Sequence, residues 1–76
     1  MPTIYSREYK TFLERLRQAR RDAGLTQADV AARLKRPQSF VSKCESGERR
    51  VDIVELSEFA RLYKKSLGFF LGPKSL

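Results

Sequence analysis

Residues 25–47 read LTQADVAARLKRPQSFVSKCESG, and the rest of the chain is organised around this stretch. Its second half, Pro37 to Ser46, reads as a short helix with two unlike faces. Val41 and Cys44, three apart, make an apolar seam, while Gln38, Ser39, Ser42 and Lys43 fall on other sides. A helix that hides Val and Cys and presents an amide, two hydroxyls and a flexible cation is chemically suited to base edges in a DNA major groove. Taken alone, the decapeptide reads first as a solvated helix face. The flanking residues shift that reading.

Upstream, Thr26 is a good N-cap, with Gln27 at the first helical position and Asp29 at the third. Thr26 and Asp29 have the spacing of a capping box, with Asp in place of the longer Glu or Gln. Leu25 and Val30 have the spacing of a hydrophobic staple. Val30, Ala31 and Leu34 form the buried stripe of a helix ending near Leu34, and Ala31 is small where a second helix must cross. Arg36-Pro37 then breaks the chain, because the residue before proline avoids helical angles while proline suits a first turn. Two short helices joined by a tight turn make a helix-turn-helix, spanning about residues 26–46.

The remaining chain supplies the body. Ser6 caps a helix to about Ala23, with Tyr9, Phe12, Leu13, Leu16, Ala19 and Ala23 as its core face and Gly24 ending it. Asp52 and Glu55 form a second capping box with Val51 and Leu56 as the staple, and Ile53, Leu56, Phe59, Ala60 and Tyr63 are expected to face inward. Ser66 caps a last short helix through Leu71. The expectation is one all-α, five-helix domain with flexible ends at about 1–5 and 72–76.

Composition limits what the domain can do. Seventy-six residues bury only about 60% of the surface that the unfolded chain exposes, so stability is modest. One cysteine and no histidine exclude a zinc site and any Cys/His or Ser/His catalytic pair. No cofactor, small-molecule effector or enzymatic activity is expected. No apolar run spans a membrane and no signal-peptide pattern is present, which makes the cytoplasm the expected location. The formal net charge of +7 points to a polyanion. Residues 1–50 hold twelve Lys and Arg against six Asp and Glu, so the excess lies with the first three helices.

The stretch resembles the phage repressor and Cro type of helix-turn-helix DNA-binding domain, also known as xenobiotic-response-element-like. The matching residues are Gly24, Leu25, Thr26, Gln27, Ala31, Leu34, Val41, Ser42, Glu45 and Gly47, with weaker matching at Arg17, Arg20 and Asp52 through Leu71. Lys35-Arg36 and Lys64-Lys65 stand where the family often has glycine. If Lys35 takes a positive φ, it carries strain of order 1 kcal/mol. The resemblance implies that Gln38, Ser39, Ser42 and Lys43 face the bases of double-stranded DNA. It also implies that Gln27, with its main-chain N–H, holds a phosphate, and that Arg17, Arg49 and Arg50 add backbone contacts. Arg20 and Glu45 match positions that pair in the family and orient the reading helix.

The end of the chain, Leu67, Gly68, Phe69, Phe70 and Leu71, is too apolar for the surface of a monomer. Some of it is expected to close the core; adjacent Phe69 and Phe70 cannot both point the same way, so one of them is expected to meet the second subunit of a homodimer. The rival reading is a protein-interaction module or antitoxin with the same fold. Exposed aliphatic and aromatic residues on the reading face would favour it, whereas Gln, Ser and Lys favour DNA.

Overall fold

The computed structural model describes residues 6–72, which form helices and turns with no strand among them. Four α-helices follow in order: α1 (Arg7–Asp22), α2 (Gln27–Leu34), α3 (Gln38–Ser46) and α4 (Ile53–Tyr63). The fifth helix is a correction, because Leu67–Leu71 is a 3-10 helix rather than an α-helix. Only five residues separate its cap from Gly72, and Gly68 lies among them. Phe69 N donates to Ser66 O and Gly72 N to Phe69 O, both i to i+3 bonds that suit so short a piece. The expected flexible ends, apart from Gly72, lie outside the described residues.

The helix starts are chemically determined. Ser6 Oγ accepts from Tyr9 N at 3.0 Å. Thr26 and Asp29 exchange both bonds of the capping box at 3.0 and 2.9 Å, so aspartate is long enough here. Asp52 and Glu55 do the same at 2.8 and 3.1 Å. The helix ends are less regular. Gly24 and Gly47 take positive φ, but so do Lys35 (58°) and Lys64 (59°), which have no glycine's freedom. Relieving that strain outweighs the extra chain entropy of glycine, so Lys35→Gly is expected to raise stability by up to about 1 kcal/mol in a urea melt. A loss of stability would mean that the Lys35 side chain makes a contact of greater worth.

The core lies where the four α-helices and the 3-10 helix meet, with Leu16, Val30, Val41, Cys44, Phe59 and Phe70 fully enclosed. Two residues expected in the core are on the surface. Ala23 is exposed because it is the C-cap of α1, beyond the last turn that packs. Ile53 is 65% exposed. Val51 folds back ahead of the cap and packs on the core, so the staple residue takes the place that Ile53's periodicity assigns to it. Phe40 is buried, its ring parallel to Phe59 with centroids 6.2 Å apart.

The expected dimer end is divided, and part of it closes the core of the monomer, as expected of so apolar a segment. Phe70 is fully buried and meets Phe12 at 6.3 Å. Phe69 is half-buried, with the Arg15 guanidinium 4.6 Å and the Lys65 ammonium 4.5 Å from its ring centroid. Only Leu67 and Leu71 of the four named residues remain exposed. Gly72 holds this end close to α1: a Cβ there would come 2.5 Å from Thr11 Cγ2.

Candidate nucleic-acid interface

Helix α3 divides cleanly along its axis. Steps of about 100° per residue put Phe40, Val41, Cys44 and Glu45 on one side, and all four are buried. The same steps place Gln38, Ser39, Ser42 and Lys43 within an arc of about 140° on the opposite side. Gln38, Ser39 and Lys43 are exposed and Ser42 is half-buried. The Ser42 hydroxyl donates to Ser39 O at 3.2 Å, which leaves its oxygen as an acceptor.

Glu45 secures the underside of α3. Its side chain is 3% exposed, and its carboxylate receives Arg20 Nε at 2.7 Å and Nη2 at 3.2 Å. Gln27 Nε2 adds a third bond at 3.0 Å. Arg20 Nη1 also reaches Leu25 O at 3.0 Å, and Arg17 Nη1 donates to the Glu45 main-chain oxygen at 2.8 Å. The bond to Glu45 raises the pKa of Arg20 against the opposing cost of burial. α1, the start of α2 and α3 are thereby tied through one residue. Gln27 and Arg17, expected on phosphates, each spend a side-chain N–H here.

A second carboxylate, Glu55 of α4, gathers the loop that follows α3. Arg49 Nη1 and Nη2 bind its two oxygens at 2.7 and 2.8 Å, and Arg36 Nη1 lies 4.0 Å away. Both guanidiniums lie over the Phe40 ring, Arg36 at 4.3 Å and Arg49 at 4.8 Å from its centroid. Arg49 Nη1 also meets Arg50 O at 3.1 Å, and its main-chain N–H donates to Lys43 O at 3.1 Å. Arg49, expected on DNA phosphate, directs its fork to a carboxylate of matching geometry within the domain. Arg50 is exposed, with its guanidinium 4.6 Å from the centroid of the Tyr9 ring.

Glu55 and Arg36 are the members of this cluster that the sequence reading missed, whereas Phe40, legible as packing on the core edge, contacting a thymine methyl or meeting a partner, packs on the core. Glu55 reads as a capping-box residue, which it is, and nothing in its spacing from Arg49 marks the second role. Cys44 is fully buried, and burial pushes its thiol pKa up.

The carboxylates make stability acid-sensitive. The bond from Arg49 holds Glu55 below its ordinary 4.5, and the main-chain N–H of Thr26 holds Asp29 below its ordinary 3.8. Lower pKa values in the folded state mean that the unfolded chain binds protons first as pH falls. Their stabilisation is complete above about pH 5 and is lost through pH 4.5 and below. Thermal melts across pH 3–8 are expected to show this decline, and Glu55→Gln is expected to flatten part of it. A midpoint that rises on acidification would contradict the assignment.

A short helix that presents polar side chains from a basic body, held by a preceding helix across a tight turn, defines a helix-turn-helix DNA-binding module. A family model described as "Helix-turn-helix domain" matches residues 11–66, and the chain belongs to this family, of the Cro/C1 type. A solved structure of an XRE-family like protein from Pseudomonas syringae pv. tomato is similar at 47% identity, with a TM-score of 0.77 over 84% of this chain and 78% of that one. Protein SENSITIVE TO UV 2 of Arabidopsis thaliana is 36% identical over 66 residues, 87% of this chain. The chain spans about a tenth of that relative's length.

Proposed function

We propose that this chain binds double-stranded DNA with sequence preference and regulates transcription as a homodimer on a roughly palindromic operator. The observation that carries the reading is the division of α3, with Gln38, Ser39, Ser42 and Lys43 outward over a face secured by Glu45. These four side chains read base edges. The main-chain N–H of Gln27, the remaining N–H groups of Arg17, and Arg50 hold phosphates.

One such helix touches only a few base pairs, too few to select one site from a genome. Two copies about a two-fold axis place their reading helices about 34–36 Å apart, one turn of duplex. Leu67 and Leu71 supply the exposed apolar surface for that contact. The contact can be weak in solution, because adjacent half-sites raise the effective concentration.

Selection of bound sites from random duplex DNA is the test. A palindrome is the expected product. On it, Gln38→Ala should cost about 1–3 kcal/mol and little on random duplex, whereas Arg50→Ala should weaken both alike and reduce the salt slope by about one. Failure to enrich any sequence would overturn the reading. It would favour a protein-interaction module, for which Ile53 and Val54, 65% and 63% exposed on α4, offer apolar surface.

A further inference from the structure

Two arginines flank the reading helix and lie over the ring in its first turn, with side chains 36% and 41% exposed. Arg36 immediately precedes the Pro37 cap of α3, and Arg49 lies in the loop just beyond Gly47. Both reach over Phe40 in the first turn of α3 and converge on Glu55. That carboxylate cannot readily move with them. Its Oε1 also accepts from Asp52 N, and its own N–H is bound by Asp52 Oδ1, so the first turn of α4 fixes its place. The residue is 8% exposed.

We propose that Glu55 is a specificity-determining residue: it withholds Arg49 and Arg36 from DNA phosphate while stacking them on the turn that carries Gln38 and Ser39. The inference rests on the DNA-binding reading above. Each arginine on a phosphate adds affinity for every sequence alike and steepens the salt dependence by about 0.9 of a unit. For a domain with a formal charge of +7, further contacts of that kind raise random binding as much as specific binding. Discrimination depends on the ratio of the two. A carboxylate that fills the Arg49 fork and lies 4.0 Å from Arg36 lowers the sequence-independent part and leaves the base readers untouched. It acts on DNA only through the arginines, so it is a positioning residue rather than a contact.

The test compares binding to a selected site and to a random duplex of equal length across a salt series. Glu55→Gln keeps an oxygen for the Asp52 cap and removes the charge. Random-duplex affinity is expected to rise about five- to tenfold near 0.1 M salt, with a slope steeper by about one for each arginine released, so that the ratio falls. Arg49→Gln, which leaves the cap intact, is expected to leave random affinity and salt slope unchanged, and the double variant to show less gain than Glu55→Gln alone. A slope reduced by about one in Arg49→Gln would place that residue on phosphate and overturn the proposal. So would a Glu55→Gln protein that loses affinity for both duplexes by the same factor, as a purely structural role requires. If the unmodified chain discriminates between duplexes while Glu55→Gln leaves the ratio unchanged, this inference alone fails. If the unmodified chain binds neither duplex, the DNA-binding reading fails and takes the inference with it.

Discussion

Phe70→Ala is expected to unfold most of the protein at ambient temperature, whereas Leu71→Ala, one residue along, should melt like the unmodified chain. Phe70 is fully enclosed and touches Phe12 and Phe69, so truncation loses the transfer free energy of a ring and leaves a cavity, about 3–5 kcal/mol. Small domains often have little more than that in total. Leu71 is 67% exposed, and its truncation should shift stability by less than about 0.5 kcal/mol. Urea melts of the two variants decide the matter. The pair also separates folding from assembly. In ultracentrifugation with a palindromic duplex, Leu71→Ala is expected to weaken the two-copy complex, which Phe70→Ala cannot test. One copy per duplex for the unmodified chain would refute the dimer.

Glu45→Ala should be nearly as damaging. It removes the partner of Arg20 and Gln27 at once and leaves a guanidinium with 16% exposure facing the protein interior. The expected loss is about 3 kcal/mol, the low end for a buried pair, because Arg20 keeps some contact with water. A double-mutant cycle with Arg20→Ala should give a coupling above about 0.5 kcal/mol. Additive losses would mean that the two side chains stabilise the fold independently. DNA binding adds a second readout: if the pair orients α3, Arg20→Ala lowers the ratio of specific to random affinity at temperatures where the variant is still folded.

The local chemistry of this chain was legible because it acts over three or four residues. Ser6, Thr26, Asp52 and Ser66 each cap the element that follows them, and each is identifiable from its own side chain and the apolar residues beyond it. The two faces of α3 are likewise a matter of helical spacing, since Phe40, Val41, Cys44 and Glu45 turn inward together. Lys35 and Lys64 show the limit of such reading. Their left-handed conformations follow from the path between helices, not from lysine, whose own preference opposes them.

The sequence by itself determined four helix starts, the helix-turn-helix and the polar surface of α3, because caps and periodicity are near-neighbour effects. Only the tertiary structure decided which group within the domain each charge meets. Arg49 and Arg50 are adjacent in a loop and read alike, yet one is held by Glu55 on α4 and the other lies over Tyr9 on α1. The same holds for Phe69 and Phe70, where Arg15 and Lys65 partly cover one ring and Phe12 packs against the other. Such assignments depend on which helices come within a few ångströms of one another, and neither spacing nor composition along a single chain carries that information.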